Sequence, residues 1–426
     1  MAKIATIKQM FRSSIKRGTG EAHLIMQKYL TIDFSTDIIK ASLKNYAYDG
    51  QTEGSRVSYL FELIALSKQQ DKILKAILKG LATERKDTWS LDQLFDLAAI
   101  FAKQGDTEAR RAIYENFQKR PIPHSDWLGE EVIMNIDGIE GLKYIASVKG
   151  KILAADPEQW EDSWTVDSFQ KKHPTINVYK ELEHASKHNK NIKVYLDTIK
   201  KDKAKFREWK RPRYNYEIVT ERIHSNVFVP LPPVAVKELK SSDIRKLADD
   251  FLKEKDRVKL EKYMRVFDVV KFPYDYQPIL SLAKSEKEKD RLVKYACASL
   301  KYFKGSDIRK FAVDRLARIR IPGDYLDLLV SNYKKGDDRL LTDIVNRSRN
   351  ENDVHNLVWS YINIYQTNRT KECRKPLEAI YKKLTCGIHR AEIVQILIDN
   401  KVLSKQLRRE IKFDSYEEVR QLCQCL

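Results

Sequence analysis

The sequence of 426 residues contains little cysteine, proline or glycine. Its five cysteines all follow residue 296, and such an odd, sparse and late set does not form a disulfide framework. No proline precedes Pro121, and the 14 glycines supply few of the turns that a sheet-rich chain of this size needs. These shortages exclude a disulfide-stapled domain and predict a protein that is almost entirely helical.

Long apolar runs are also missing. The cleanest one is residues 97–102, six residues, whereas a membrane-spanning helix needs about 20. Residues 1–12 alternate polar and apolar side chains, which predicts an amphipathic helix and not the apolar core of a signal peptide. Without a membrane segment or a disulfide pattern, we expect a cytoplasmic protein that contacts no membrane.

Charge is abundant and predominantly positive. Lysine and arginine number 79 and aspartate and glutamate 60, giving a formal net charge of +19. Residues 51–200 carry 22 basic and 23 acidic side chains, whereas residues 201–350 carry 36 and 23. This excess in residues 201–350 predicts an anionic partner, either nucleic acid or an acidic protein, for that region.

Internal repeats give the most information about architecture. The heptapeptide Ser-Asp-Ile-Arg-Lys-Leu-Ala at 242–248 recurs, with Phe for Leu, at 306–312, and each copy begins an apolar stripe of helical spacing. A second pattern, a leucine-rich segment followed by a turn and an aspartate, occurs at 60–71, 94–106 and 326–337. The first two copies are 34 residues apart, a spacing typical of stacked helical hairpins.

With these hairpin patterns the chain resembles the HEAT-like α-solenoid proteins. The resemblance covers residues 34–119 and 240–400, and it implies an all-α fold in which hairpins stack as a right-handed superhelix. It also implies a non-catalytic binding or scaffold protein. The alternative architecture is a helical bundle without repeats.

The middle of the chain differs from its two ends. Prolines and four of the six tryptophans lie between residues 121 and 209, and residues 228–234 form a proline-rich, extended segment. We therefore predict an N-terminal repeat block over 1–120, a Trp- and Pro-containing junction over 121–235, and a C-terminal repeat block over 236–426.

The densest basic stretch, residues 200–216, interleaves cations with aromatic rings. Cations neutralise phosphates and flat rings stack on bases, so this stretch is the candidate nucleic-acid or anion-binding segment. The alternative interpretation is a solvated helix face that runs into a turn. The candidate residues here are Lys203, Lys205, Arg207, Trp209, Lys210, Arg211 and Arg213.

Arg315 is a further candidate, because it falls in the centre of the apolar stripe of the helix predicted over 306–320. A buried guanidinium needs a partner. HEAT-like repeats commonly carry an Asp–Arg ladder, which implies Asp307 or Asp353 as that partner. Alternatively, Arg315 binds a phosphate or carboxylate of a ligand.

No catalytic motif is present: the sequence has no phosphate loop, no nucleophile elbow and no His-Glu-x-x-His. His184 and His188 share a helix face but have no third ligand, so we predict no metal and no cofactor. Some HEAT-like proteins are DNA glycosylases, which act on damaged bases with a carboxylate between aromatic walls. That resemblance leaves an enzymatic alternative, beside a purely protein-binding scaffold, and its ingredients would be Trp127, Glu130, Glu131, Trp160, Asp162 and Trp164.

Overall fold

A computed structural model describes residues 2–120, 122, 128–205, 213–225, 230–284, 290–318 and 322–424. Within these residues the protein is all-helical and has no strand, which confirms the predicted all-α class. The chain divides into two compact units: unit 1 comprises residues 1–209, 385–387 and 408–426, and unit 2 comprises residues 210–384 and 388–407.

The first thirteen helices are α1 (Ala2–Arg17), α2 (Glu21–Lys28), α3 (Ser35–Leu43), α4 (Gly50–Glu53), α5 (Val57–Ser67), α6 (Gln70–Thr83), α7 (Thr88–Lys103), α8 (Thr107–Lys119), α9 (Glu130–Ala155), α10 (Trp164–Lys172), α11 (Val178–Ser186), α12 (Lys190–Lys205) and α13 (Tyr216–His224). The remaining thirteen are α14 (Pro233–Lys237), α15 (Ser241–Lys253), α16 (Arg257–Val269), α17 (Gln277–Lys284), α18 (Arg291–Leu300), α19 (Ser306–Arg318), α20 (Gly323–Leu326), α21 (Asp337–Arg347), α22 (Glu351–Thr367), α23 (Arg374–Tyr381), α24 (Gly387–Asp399), α25 (Lys405–Glu410) and α26 (Glu417–Gln424).

The amphipathic segment at the start of the sequence is α1. Ile7, Phe11 and Ile15, which are spaced four residues apart, are buried on one side of it. None of the described helices is both long enough and apolar enough to cross a membrane.

The first two hairpin patterns each form a pair of helices, α5–α6 and α7–α8. In the second pair, Gly105 turns the chain with a φ of +99°, and the Asp106 carboxylate then accepts a hydrogen bond from the amide of Ala109 at 2.7 Å. The third pattern differs, since its first helix is the short α20, which continues as a 3-10 turn over Asp327–Leu329. Asp327 in that turn is largely buried and accepts a hydrogen bond from Ser360.

In both units, helices pack on the second helix along the chain as well as on the adjacent one. In unit 1, α7 contacts α5 and α9, and α6 contacts α8. In unit 2, the consecutive contacts α14–α16, α16–α18, α18–α20 and α20–α22 form one series. These helices therefore cover their apolar stripes with a helix of the next pair, as amphipathic helices require.

Side chains from later helices satisfy the open carbonyls at several helix C-termini. In unit 2, Lys262 donates to the carbonyls of Ile223 and Ser225 at the end of α13. Lys383 donates to three carbonyls at the end of α21, those of Val345, Asn346 and Ser348. A cation at a helix C-terminus also interacts favourably with the helix dipole, so these contacts tie one hairpin to an earlier one.

Candidate functional site

A cavity of about 660 Å³ lies in unit 1, between the middle of α7, the first turn of α9 and the segment that leads into α10. This volume falls within the range of ligand-binding pockets. Six carboxyl groups line the cavity, those of Asp92, Asp96, Glu130, Glu131, Glu161 and Asp162. Two cationic side chains, Arg120 and Lys149, accompany them among the lining residues that the structure describes.

The α7 wall contributes Asp92 and Asp96, which are four residues apart and therefore lie on one face of the helix. The hydroxyl of Ser55 donates to Asp96, whereas no described side chain forms a hydrogen bond or ion pair with Asp92. Burial, with repulsion from Asp96 and Glu131, raises the pKa of Asp92 to about 6. Among the residues that the structure describes, Asp92 thus has no counter-charge.

The α9 wall begins at Gly129, which has a φ of +90°. A Cβ at this position would lie 2.8 Å from the ring of Phe95, so only glycine fits here. The turn places Glu130 and Glu131 at the N-terminus of α9, where the helix dipole stabilises negative charge.

Lys149 lies buried behind the cavity wall and joins two of its carboxylates. Its Nζ is 2.5 Å from Glu130 and 2.9 Å from Glu161, and all three side chains are buried. Glu130 also accepts a hydrogen bond from the hydroxyl of Thr165 at 2.7 Å. Because Lys149 is held between these two carboxylates, its charge is not available to neutralise Asp92 or Asp96.

Two tryptophans of the cavity lining remain open to solvent, Trp160 with 70 % and Trp164 with 61 % of its surface exposed. Trp164 begins α10, and its amide donates to the Asp162 carboxylate at 2.9 Å. Large indole surfaces are normally covered in a folded protein, so two exposed indoles beside one cavity are unusual. The site combines negative charge with aromatic faces, and these are the two features that hold an organic cation.

The structure brings together five of the six residues that the sequence suggested for an enzymatic site: Glu130, Glu131, Trp160, Asp162 and Trp164. The sixth, Trp127, lies outside the described residues. Sequence reasoning missed Asp92, Asp96 and Lys149. The signal for the first two was present, since both acids interrupt the strongly apolar run of α7.

Most of the candidate anion-binding residues cannot be placed. Arg207, Trp209, Lys210 and Arg211 lie outside the described residues, and Lys203 and Lys205 belong to α12 without described side chains. Arg213 is described and is exposed. The anion-binding role of this stretch therefore stays a prediction.

Arg315 is half-buried on α19, with its guanidinium carbon 5.5 Å from the ring centre of Phe311 and 5.9 Å from that of Tyr325. Asp307, a suggested ladder partner, accepts hydrogen bonds from Tyr276 and Gln277. An Arg–Asp contact between hairpins does occur nearby, where Arg309 and Asp337 form a bidentate pair at 2.7 Å.

The two regions differ less in the charge of their exposed side chains than in their net charge. Among the described residues 213–350, 20 of 27 cations are exposed but only 8 of 19 carboxyl side chains. In residues 51–200, 18 of 22 cations are exposed but only 9 of the 22 described carboxyl side chains. Exposed cations therefore predominate in both regions, although residues 51–200 have a net charge close to zero.

No protein-family model matches the sequence, and a search of curated proteins found none that is significantly similar to it. What the chain binds is therefore inferred from its own residues.

Proposed function

We propose that the chain is a HEAT-like helical-repeat protein, with hairpins stacked as a right-handed superhelix, and that it binds an anionic partner without catalysing a reaction. Nucleic acid or an acidic protein would be that partner. The basic stretch that includes Lys203, Lys205, Lys210, Arg211 and Arg213 would supply the principal contact, within residues 201–350.

Two kinds of contact support the repeat architecture. Helices pack on the second helix along the chain in both units, as stacked hairpins do. In addition, Lys262 reaches Ile223, and Lys383 reaches Val345, across 39 and 38 residues, close to the 34-residue offset of the first two sequence repeats. A fixed interval between such ties is expected when each hairpin contacts its neighbour.

The observation that carries the anionic partner is the balance of exposed charge. In the described part of residues 213–350, the 20 exposed cations outnumber the 8 exposed carboxyl groups, so the positive potential reaches the solvent. Such a surface attracts polyanions and releases their counterions on binding.

The experiment that tests this proposal measures binding of labelled single-stranded and duplex DNA and RNA, and of polyglutamate, over a salt series. We expect a polyanion to bind at low salt and its affinity to fall steeply with salt, by a logarithmic slope of about 0.7–0.9 per phosphate contact for a nucleic acid. If none of these polyanions binds at low salt, the proposal is wrong.

A pair of charge-reversal variants locates the contact. Changing Lys203, Lys205, Lys210, Arg211 and Arg213 to Glu should lower the affinity at least tenfold and make the salt slope shallower. The matched control changes five exposed lysines of residues 51–200 to Glu, namely Lys171, Lys180, Lys187, Lys190 and Lys193. Equal losses in both variants would show that the contact with the polyanion is not confined to residues 201–350.

A second candidate function is favoured by the cavity of unit 1, which collects the carboxylates and tryptophans that a HEAT-like DNA glycosylase would use. Its specific test is release of bases from alkylated DNA, compared between the natural protein and Asp162→Asn. Binding of a protein in the absence of any polyanion binding or base release would instead favour the purely protein-binding scaffold.

A further inference from the structure

The acidic cavity of unit 1 carries a charge opposite to that which predominates among the exposed side chains of residues 51–200. It is bordered by six carboxyl groups and two cations, and one of those cations, Lys149, is already held between Glu130 and Glu161. Carboxylates repel phosphates, so this cavity is poorly suited to the backbone of a nucleic acid. Its ligand should therefore differ from the polyanion proposed above.

We propose that the cavity is a binding site for an organic cation, an alkylammonium or guanidinium group, which lies against Trp160 or Trp164 and pairs with Asp92 and its neighbouring carboxylates. The group is either a free amine or the side chain of a lysine or arginine of a partner protein. This site lies beyond the proposed function, because it requires a ligand of the opposite charge.

The α7 side of the cavity carries unpaired charge. Asp92 and Asp96 lie side by side on α7, and no described side chain pairs with Asp92, whereas Glu131 of the same cavity pairs with Lys172 at 3.1 Å. Burial, together with repulsion from Asp96 and Glu131, holds the pKa of Asp92 near 6, so a bound cation would stabilise a charge that the site disfavours. Lys149 already pairs with Glu130 and Glu161, so a ligand cation would pair with the carboxylates on the α7 side of the cavity.

Exposed indole surfaces accompany the carboxylates of the cavity. Trp160 and Trp164 line the same cavity and expose more than half of their indole surfaces. The face of an indole attracts cations more strongly than the face of any other aromatic side chain. A carboxylate on one side and an indole on the other satisfy both the charge and the apolar stem of an alkylated cation.

Contacts within the protein hold the wall of the cavity in place. Glu130 is fixed by Lys149 and Thr165, and the Asp162 carboxylate is fixed by the amide of Trp164. Gly129 places the start of α9 against Phe95. The cavity wall is thus positioned before any ligand arrives, which lowers the entropic cost of binding.

The test is calorimetric titration of the full chain at pH 7.5 and low salt, in a buffer that contains no amine. The probes are arginine amide and citrulline amide, which have nearly the same shape but differ in charge. We expect arginine amide to bind at least tenfold more tightly than citrulline amide. Failure of arginine amide to bind, or equal affinity for the two probes, would overturn the proposal.

Variants then place the binding in this cavity. Trp164→Ala and Asp92→Asn should each weaken arginine amide at least fivefold, and circular dichroism verifies that both variants are folded. The matched controls are Trp359→Ala, at an indole that is 52 % exposed in unit 2, and Asp197→Asn, on the exposed face of α12. If the controls weaken binding as much as the cavity variants, the site lies elsewhere and the proposal is wrong.

Two further probes separate the sources of the cation. A capped Gly-Arg-Gly peptide that binds at least tenfold more tightly than agmatine would identify the ligand as a side chain of a protein partner. The reverse order would identify a free amine, and both results support the site. Base release from alkylated DNA that is lost in Trp164→Ala would instead assign the cavity to DNA chemistry and overturn the proposal, while leaving the polyanion-binding surface untouched.

Discussion

Residues 51–200 and residues 213–350 withdraw similar shares of their carboxyl groups from the solvent, but they use them differently. In the first region six carboxyl groups meet at one cavity that has two cations. In the second they are distributed as single ties between helices, such as Arg309–Asp337 and Lys301–Asp268, or as acceptors for tyrosine hydroxyls. An isolated ion pair is explained by the two helices that it holds together. A cluster of carboxyl groups with too few cations indicates instead a positively charged ligand.

The lysines that tie separate segments of the chain together differ in the same way. Lys149 in unit 1 pairs with two buried carboxylates, whereas Lys262 and Lys383 in unit 2 donate to backbone carbonyls at helix ends. Removing a lysine from the first arrangement leaves uncompensated charge inside the protein. Removing one from the second leaves neutral carbonyl groups without that donor and no unpaired charge.

The largest effect should come from Lys149→Met. The variant leaves Glu130 and Glu161 buried without a cation, and such a loss costs about 3–5 kcal/mol of unfolding free energy. Chemical denaturation measures it, with Lys151→Met on the exposed face of the same helix as the control. A triple variant that also carries Glu130→Gln and Glu161→Gln should recover part of the loss. If Lys149→Met and Lys151→Met were equally stable, the buried pairing would be contradicted.

Asp92→Asn should raise the stability by about 1–2 kcal/mol at pH 7.5. The pKa of Asp92 in the folded protein is about 6, above its unfolded value, so the folded state holds the proton more tightly. Stability is therefore lost as the pH rises from about 4 to about 6, and the Asn variant should lack this loss. Thermal unfolding at pH 4.0, 5.0, 6.0 and 7.5 measures the difference. A variant that is no more stable than the natural protein at pH 7.5 would argue against the crowding of carboxylates.

Lys262→Met should lower the stability by about 1 kcal/mol, since it removes two hydrogen bonds at the C-terminus of α13 but keeps the aliphatic stem. The exposed Lys310 on α19 provides the control, as Lys310→Met. Denaturation in urea suits the measurement. A loss as large as that of Lys149→Met would remove the distinction between a lysine that pairs with buried carboxylates and one that donates to helix carbonyls.

Arg315→Met should have the smallest effect, a loss of about 0.5–1 kcal/mol from the contacts with Phe311 and Tyr325. We expect the salt slope for nucleic-acid binding to stay unchanged. A slope that became shallower by about one would show that Arg315 contacts a phosphate, the other role that its position in the apolar stripe suggested.

The helices could be predicted from the sequence because their signals are local. The apolar spacing over 306–320 and the turn at Gly105 depend only on residues within one or two turns of helix. The end of the third hairpin's first helix was not predictable in this way, since Asp327 takes its place through a contact with Ser360, 33 residues away.

The cavity could be predicted only in part. Glu130, Glu131, Trp160, Asp162 and Trp164 attracted attention as an unusual cluster of residue types, but their meeting with Asp92 and Asp96 is a tertiary event. The net charge of residues 51–200 failed to predict the charge of their exposed side chains for the same reason. A count over residues 51–200 treats a carboxylate buried beside Lys149 and one on the surface as equal, so it could not predict the excess of exposed cations.

A double titration on one sample tests most directly whether two ligands of opposite charge bind at separate sites. A labelled nucleic acid is bound first at low salt, arginine amide is then added, and the affinity of each is compared with its value alone. We predict that both bind together, that Trp164→Ala removes only the arginine amide, and that reversing the five cations at 203–213 removes only the nucleic acid. Displacement of one ligand by the other, or loss of both in either variant, would contradict two separate sites of opposite charge.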